Sequence, residues 1–314
     1  MFERLFLLRR RYAKIILVLR SWSNFISHRL AGRNDRIKFG ELERRLDLIG
    51  CEVEKEYSDQ IPNVLHFVFL YPLHTKMPFY TAVAIQSAIT RTGATRTFLY
   101  CSHEPLGDHW DAIKAQVTII YISDFTYFKN AKIYHAAHKA DIIRLLALYH
   151  IGGIYLDNDT ITLRSMDDLR DKKFVMGIQG TRGGTNTIGL CNATMLGRRH
   201  SLFCNTWIRS YRFFKSKGRD TFWDFHSVKL PVLIARALID EITVLSSRAF
   251  FYPMWHDIER RLFTDGSREN ARYFESAYSI HLWSSMNGFL PAISRAYIQN
   301  SSSLYASWAQ LSNI

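Results

Sequence analysis

The sequence has only four cysteines in 314 residues, and their spacing excludes the usual cysteine sites. There is no C-x-x-C pair, no Cys/His zinc pattern and no spacing that suggests a disulfide framework; the positions are Cys51, Cys101, Cys191 and Cys204. This usage is typical of a protein from a reducing compartment. A P-loop, a G-x-G-x-x-G turn and a G-x-S-x-G elbow are also absent, so none of the classes that these motifs define is indicated.

Long apolar runs are scarce at the N-terminus, where basic residues are abundant. The longest uninterrupted apolar stretch there is Ile15–Leu19, whereas a membrane-spanning helix needs about 20 apolar residues. The formal charge of the chain is +13, and much of the excess lies before Arg45. Residues 1–30 have an apolar stripe beside Arg and Lys. Two interpretations stay open: a helix on an anionic membrane surface, or a helix packed on the domain with a solvated basic face.

From residue 61 onward, strand patterns alternate with helix patterns. Buried strands are predicted at 64–70, 97–101, 117–121 and 154–156, and helices at 78–90 and 138–150. This alternation predicts an α/β fold with a Rossmann-like, mostly parallel sheet flanked by helices. We expect residues 61–314 to form one domain and residues 1–60 to form a helical basic preface, with a break at 31–35 and a short helix at 39–50.

After Thr160 the alternation loosens. A strand is predicted at 174–179, helices at 201–215 and 228–239, and a late strand at 278–283. This stretch gives no reason to divide the chain into a second domain.

Two carboxylates follow the predicted strand at 154–156. Asp157 and Asp159 are two residues apart, so both can approach one hard cation at the carboxyl end of the strand, where α/β sheets bind ligands. Mg²⁺ and Mn²⁺ prefer such oxygen ligands and retain positions for substrate phosphates. An isolated D-x-D is more often a helix cap, a turn or a solvated loop, so its surroundings decide the interpretation.

The preceding helix carries further polar residues. Asp141 and Arg144 are three residues apart and share a helix face, from which a guanidinium can bind phosphate or hydroxyl groups. Gly152 and Gly153 then end the helix and turn the chain into the strand that delivers Asp157. We therefore expect the Asp141/Arg144 face to lie near the cation.

The combined pattern resembles a known family. A-D-x-x-R-x-x-x-L-x-x-x-G-G-x-Y-x-D-x-D, from Ala140 to Asp159, is similar to the DXD-containing sugar-transferase family, which includes fungal α-mannosyltransferases, inositol-phosphoceramide mannosyltransferases and α-1,4-galactosyltransferases. The segment Ile61–Phe69 is similar to the family's opening strand, and Ile280–Trp283 is similar to its late H-x-W segment. The resemblance covers most of the chain, from Ile61 to Trp283.

This resemblance implies a GT-A fold, a divalent cation (Mn²⁺ or Mg²⁺) and sugar transfer with retention of configuration. It assigns the metal to Asp157, Asp159 and His281. It assigns the donor to a wider set of residues, namely Phe69, Asp141, Arg144, Tyr155, Asp157, Asp159 and Trp283. Phe69 stands where the family commonly has tryptophan and is expected to stack on the donor base. No enzymic nucleophile is indicated by the sequence.

The function expected from the sequence is a metal-dependent hexosyltransferase. It would move a hexose or N-acetylhexosamine from a UDP-sugar or GDP-mannose to a glycan or lipid-linked acceptor. The alternatives are a non-catalytic, basic, membrane-associated binding protein on a degenerate transferase fold, and a phosphotransferase or nucleotide hydrolase with the same metal site. No nucleic-acid-binding motif is present. The expected location is the cytoplasm, peripherally at the inner face of a membrane, with the Golgi lumen as the alternative.

Overall fold

The structure is a computed structural model that describes residues 31–57, 59–181, 186–255 and 257–312, apart from the side chains of residues 259 and 260. The predicted membrane-facing or packed helix in residues 1–30 lies outside this part of the chain. Among the described residues, no helix combines the length and the apolar character that crossing a bilayer requires.

A seven-stranded sheet forms the centre of the molecule. Its order is β10-β8-β9-β6-β1-β2-β3. The strands are β1 (Val64–Phe69), β2 (Arg96–Cys101), β3 (Thr118–Tyr121), β6 (Gly153–Leu156), β8 (Phe174–Gly180), β9 (Thr187–Gly197) and β10 (Thr243–Leu245). Every neighbouring pair is parallel except the two pairs made by β9. The predicted α/β class with a mostly parallel sheet is therefore confirmed.

Two small two-stranded sheets lie outside the main sheet. They pair β4 (Tyr127–Phe128) with β5 (Ala131–Lys132), and β7 (Thr160–Thr162) with β11 (Ser279–His281). The second pair matters for function because it joins the segment after Asp157 to a strand that comes more than a hundred residues later.

Helices flank the sheet. The first helix of the described part of the chain, α1, covers residues 31–54. The others are α2 (Phe79–Thr92), α3 (Asp108–Asp111), α4 (Ala136–His150), α5 (Leu202–Ser210), α6 (Leu230–Ala237), α7 (Ser247–Phe250), α8 (Ile258–Leu262), α9 (Arg295–Asn300) and α10 (Leu304–Gln310). The predicted helices at 78–90 and 138–150 correspond to α2 and α4, whereas those at 201–215 and 228–239 are shorter than predicted.

Alternate residues of the central strands enter two separate apolar cores, one on each face of the sheet. Leu65 and Phe67 of β1 belong to the core that contains α2 and the C-terminal helices. Val64 and Val68 belong to the other core, which contains residues of α1, α4 and α5. Because both faces are covered, β1 is buried along its whole length, as its continuous apolar sequence predicts.

The prediction for residues 31–50 was wrong in one respect. The break expected at 31–35 is instead part of the continuous helix α1. Asp35 is buried, and its carboxylate accepts hydrogen bonds from the backbone N–H groups of Thr126 (2.9 Å) and Tyr127 (2.8 Å). Its polar side chain therefore anchors the helix to a distant loop instead of ending it.

The chain order of the strands creates a crevice. From β1 the chain proceeds to β2 and β3 on one side, and then returns to place β6 on the other side of β1. The point where the strand order reverses is where open α/β sheets bind ligands, outside the carboxyl ends of the strands. Here that point lies between the ends of β1 and β6, directly at Asp157.

Candidate active site

Asp157 and Asp159 are positioned by two different pairings. The backbone N–H of Asp157 donates to the carbonyl of Ala193 on β9 at 2.8 Å, which fixes the residue at the end of the main sheet. Asp159 immediately precedes β7, and its carbonyl accepts from Leu282 N–H at 2.9 Å. The β7–β11 register places His281 opposite Thr160. The two acidic residues and the histidine therefore meet although the histidine is remote in sequence.

The three side chains form a compact cluster. His281 Nε2 lies 2.9 Å from Asp159 Oδ1 and 3.9 Å from Asp157 Oδ2. One ligand atom from each residue can be chosen so that all three lie within 4.8 Å of one another. The other oxygen of Asp159 accepts from Ser284 N–H at 2.7 Å. Two carboxylates and an imidazole at this separation fit a divalent metal ion.

Arg144 adds a fixed positive charge beside the cluster. Its Nη1 lies 3.0 Å from Asp157 Oδ1 and donates to the carbonyl of Asn192 at 2.8 Å. The guanidinium also stacks over the Tyr155 ring, 4.5 Å from its centroid. Burial opposes the charge of Arg144, but the negative groups around it, of which Asp157 contributes most, together outweigh burial and raise the pKa of Arg144, so the guanidinium remains protonated.

Asp141 stands behind Arg144. Its Oδ1 is 3.5 Å from Arg144 Nη2 and accepts from Asn192 Nδ2 at 2.7 Å. Asp141, Arg144 and Asn192 are all buried. Arg144 lines the cavity described below, whereas Asp141 does not. In this structure, Asp141 and Asn192 hold Arg144 in place.

The carboxylates of the cluster have different electrostatic environments. Burial raises the pKa of Asp157, and Arg144 and His281 only partly offset this effect. Burial acts on Asp159 in the same direction, but His281 and the Ser284 N–H outweigh it and lower the pKa of Asp159 to about 2. The pKa of His281 is raised overall: burial opposes protonation of the imidazole, but the carboxylates of Asp159 and Asp157 together favour it more strongly. A cation would stabilise Asp157 in its charged form.

A cavity of about 420 Å³ opens onto this cluster. Its wall includes Arg144, Tyr155, Asp157, Asp159, His281, Asn158, Ser284 and Tyr71. A neighbouring cavity of about 350 Å³ shares the wall at Tyr71 and continues past His103 and Lys139. Together they form a cleft along the carboxyl ends of the central strands. Its size suits a ligand with two parts, one at the cluster and one further along the cleft.

Besides Asp141, two residues predicted from the resemblance lie away from this cavity. Phe69 is only 2% exposed and packs in the core, with its ring 4.3 Å from that of Tyr71. Trp283 is 8% exposed; its ring lies 4.3 Å from the His281 ring, and its Nε1 donates to the Pro253 carbonyl at 3.2 Å. Trp283 thus supports His281 from behind, while Tyr71 occupies the cavity wall.

The two histidines at the start of α4 have different surroundings. His135 caps the helix, since its side chain accepts from Ala137 N–H at 3.1 Å. His138 is 2% exposed, and its Nε2 lies 3.0 Å from the Trp223 carbonyl. The segment around Trp223 covers it, and no local sequence signal indicates that contact.

Residues 101–175, which include α4, β6 and both aspartates of the cluster, match the family described as "Glycosyltransferase sugar-binding region containing DXD motif". Over 247 residues the chain is 33% identical to Glucan organizing enzyme 1 of Cryptococcus neoformans var. grubii serotype A. The chain belongs to the DXD-containing glycosyltransferase family. The alignment covers 74% of this chain and 66% of that relative, so the chain spans slightly less than two thirds of the relative's length.

The chain is also similar to solved glycosyltransferases. PaToxG glycosyltransferase is 13% identical, with a TM-score of 0.44 and coverage of 91% of this chain and 98% of that one. The galactosyltransferase LgtC, in complex with donor and acceptor sugar analogues, is 12% identical, with a TM-score of 0.40 and coverage of 80% and 95%.

Within this glycosyltransferase site, sequence reasoning missed Asn192, Ser284 and Tyr71. Asn192 reaches Arg144 and Asp141 only because β9 runs beside β6. Ser284 contributes a backbone N–H, which carries no sequence signal. Tyr71 follows β1 by two residues and could have been found as the first aromatic beyond the carboxyl end of that strand.

Proposed function

We propose that this glycosyltransferase is metal-dependent and retaining, and that it moves a hexose or N-acetylhexosamine from a UDP-sugar or GDP-mannose to a glycan or lipid-linked acceptor. The observation that carries the proposal is the convergence of Asp157, Asp159 and His281 within 4.8 Å at the point where the strand order reverses. Arg144 stands directly beside them, 3.0 Å from Asp157.

The proposed metal ligands are Asp157, Asp159 and His281. The donor set fits Mn²⁺ or Mg²⁺, since two of the three ligands are carboxylates and the cavity leaves room for substrate oxygens. The raised pKa of Asp157 supports this assignment, because burial leaves its negative charge incompletely compensated. When bound, a divalent cation would offset the charge that develops on the departing diphosphate.

Arg144 would contribute a second, permanent positive charge. Its contacts with Asn192, Asp157 and the Tyr155 ring hold the guanidinium in one orientation, so little reorganisation is needed during the reaction. Asp141 and Asn192 would act through Arg144 as positioning residues. Phosphate or sugar oxygens entering the cavity would meet this preoriented donor.

The proposed reaction breaks the bond between the anomeric carbon and the donor phosphate oxygen, and forms a bond from that carbon to the acceptor oxygen. The proton of the acceptor hydroxyl passes to the departing phosphate oxygen. Front-face attack of this kind retains configuration without an enzymic nucleophile, and we assign none. The role of this chain's residues is to orient the donor and to stabilise the leaving charge.

Tyr71 is proposed to bind the donor base in place of Phe69. It is 39% exposed, lies in the shared wall of both cavities and hydrogen-bonds to Asn158. We expect Tyr71→Ala to raise the donor KM by about tenfold, since a base–aromatic stack contributes on the order of 1–3 kcal/mol. Tyr71→Phe should retain most of the affinity.

The control for Tyr71→Ala is Leu73→Ala, which removes another exposed apolar side chain two residues along the same segment. Donor binding by titration calorimetry checks the prediction. Equal donor affinities for wild type and Tyr71→Ala would show that Tyr71 does not contact the base.

The function itself is tested by a donor screen. Purified protein with Mn²⁺ is offered UDP- and GDP-sugars, with and without an oligosaccharide acceptor, and released nucleotide is measured. We expect release from one donor, its loss after EDTA treatment, and its recovery when Mn²⁺ is returned. Full release in the presence of excess EDTA would contradict the metal dependence. Donor binding without release, with or without acceptor, would favour the non-catalytic alternative.

We propose a peripheral location on the cytoplasmic face of a membrane, supported by the cluster of basic residues before Arg45. Sedimentation with vesicles of anionic phospholipid checks this proposal. The full chain should sediment with anionic vesicles and not with neutral ones, and deletion of residues 1–30 should abolish sedimentation. Unchanged sedimentation of the truncated chain would contradict the role given to that segment.

A further inference from the structure

A second cluster of ligand-type side chains lies at the other end of α4. It consists of Asp47 from α1, His150 from the last turn of α4, and His200 from the turn between β9 and α5. One ligand atom from each residue can be chosen so that the three lie within 4.8 Å of one another. About 9 Å of helix axis separates His150 from Arg144, since each residue adds about 1.5 Å. The cluster shares no residue with the active site.

The two distances to Asp47 are compatible with a tetrahedral site. His150 Nδ1 lies 2.9 Å from Asp47 Oδ1, and His200 Nε2 lies 3.3 Å from the same oxygen. Zinc bonds to nitrogen and carboxylate oxygen are about 2.0–2.2 Å long, so adjacent ligands of a tetrahedral zinc ion are about 3.3 Å apart. Two imidazoles converging on one carboxylate thus need little movement to share a metal.

The backbone around the cluster is tightly constrained. His200 has a φ of 56°, in the left-handed region that a non-glycine residue seldom adopts, and its N–H donates to the Tyr149 carbonyl at 2.7 Å. Helix α1 approaches so closely that a Cβ at Gly50 would overlap the carbonyl oxygen of His150. Three segments distant in sequence are therefore held together, with His150 buried beneath them.

Arg199 and Cys51 lie beside the three side chains of the cluster. Arg199 Nη2 lies 3.3 Å from Asp47 Oδ1 and 3.3 Å from Cys51 Sγ, and Arg199 Nε donates to the His150 carbonyl at 2.8 Å. Arg199 already contacts the thiol, so the protein would supply the three ligands of the cluster and leave a fourth position to water. The nearby guanidinium weakens cation binding compared with a site that lacks it.

We propose that Asp47, His150 and His200 form a zinc site that fastens α1 to the catalytic domain. Imidazole and carboxylate ligands in tetrahedral geometry favour Zn²⁺ over the harder Mg²⁺. The ion stabilises the folded chain by binding a site that exists only when α1, α4 and the turn after β9 are assembled.

The test compares zinc-binding isotherms of wild type, His200→Asn, Asp159→Asn and the double variant, using metal-free protein and Zn²⁺ alone. Asparagine tolerates the left-handed backbone of residue 200, so folding is preserved. We expect His200→Asn to weaken zinc binding at the Asp47, His150 and His200 cluster at least tenfold, and Asp159→Asn to weaken zinc binding at the active site at least tenfold. The double variant should lose both zinc equivalents. Zinc should raise the Tm of Asp159→Asn but not that of the double variant.

His74→Asn is the matched control, because His74 is also exposed and has a φ of 65°, but belongs to neither cluster. It should bind zinc as wild type does. Superimposable isotherms for wild type and His200→Asn would overturn the proposal, as would the absence of any zinc equivalent in Asp159→Asn. Neither result depends on donor turnover, so failure of the zinc site and failure of the proposed function are distinguishable.

Discussion

Replacement of Asp159 by asparagine is expected to lower the turnover of the nucleotide-sugar donor by about 10³-fold or more, equivalent to roughly 4 kcal/mol of transition-state stabilisation. The substitution removes the charged oxygen that faces His281 at 2.9 Å and thereby removes one proposed metal ligand. The amide oxygen can still accept from Ser284 N–H, so the local backbone should be retained. Nucleotide release at saturating Mn²⁺ measures the effect.

The control for this substitution is Asp171→Asn. Asp171 is an exposed aspartate that pairs with the adjacent Lys172 at 2.8 Å and is not part of the cavity wall. It should leave turnover unchanged. Asp159→Asn should remain folded, with a small fall in Tm from loss of the His281 ion pair. Turnover within tenfold of wild type in a folded Asp159→Asn protein would remove Asp159 from the proposed metal site.

Much of the site was predictable because it is encoded in one short segment. Helix α4, the glycine turn and β6 are contiguous, so spacing alone brings Asp141, Arg144 and Asp157 to neighbouring positions. The carboxyl end of a parallel strand then gives Asp157 its location at the ligand-binding edge. Their proximity follows from local geometry, and the contacts between Arg144 and both aspartates confirm it.

Replacement of Gly153 by alanine is expected to destabilise the protein by about 4 kcal/mol or more, or to prevent folding. Gly153 has a φ of 119°, and an added Cβ would lie 2.6 Å from the Val64 carbonyl oxygen and 2.8 Å from His66 Nε2. The clash is with the neighbouring strand β1, which cannot move without disturbing the central sheet. Urea denaturation measures the loss of stability.

Gly93→Ala separates backbone strain from steric overlap. Gly93 also has a positive φ, of 58°, but nothing lies within 4 Å of a Cβ built there. Gly93→Ala should lower the free energy of unfolding by only about 1–2 kcal/mol, the usual penalty of left-handed backbone for alanine. Similar losses for the two variants would show that the close approach of β6 to β1 is not what requires glycine at residue 153.

The features that escaped prediction depend on contacts between distant segments. Strand β9 was missed because its sequence is interrupted by Gly189 and Asn192, yet it fits between β6 and β8 as the antiparallel member of the main sheet. His281 was indicated by the family resemblance alone, since no local pattern connects it with Asp159. The resemblance favoured Phe69 as the donor contact, although Tyr71 is the first aromatic residue beyond the carboxyl end of β1.

The pairing of β7 with β11 has a consequence for insertions and deletions. His281 follows Asp159 by 122 residues, but it is aligned by three successive residue pairs of the two strands. Side chains alternate between the faces of a strand, so a single-residue insertion within either strand would turn His281 away from the aspartates. Changes in the length of the chain that connects β7 to β11 leave this alignment intact. Relatives could therefore diverge widely in that connection and keep the same three-residue cluster.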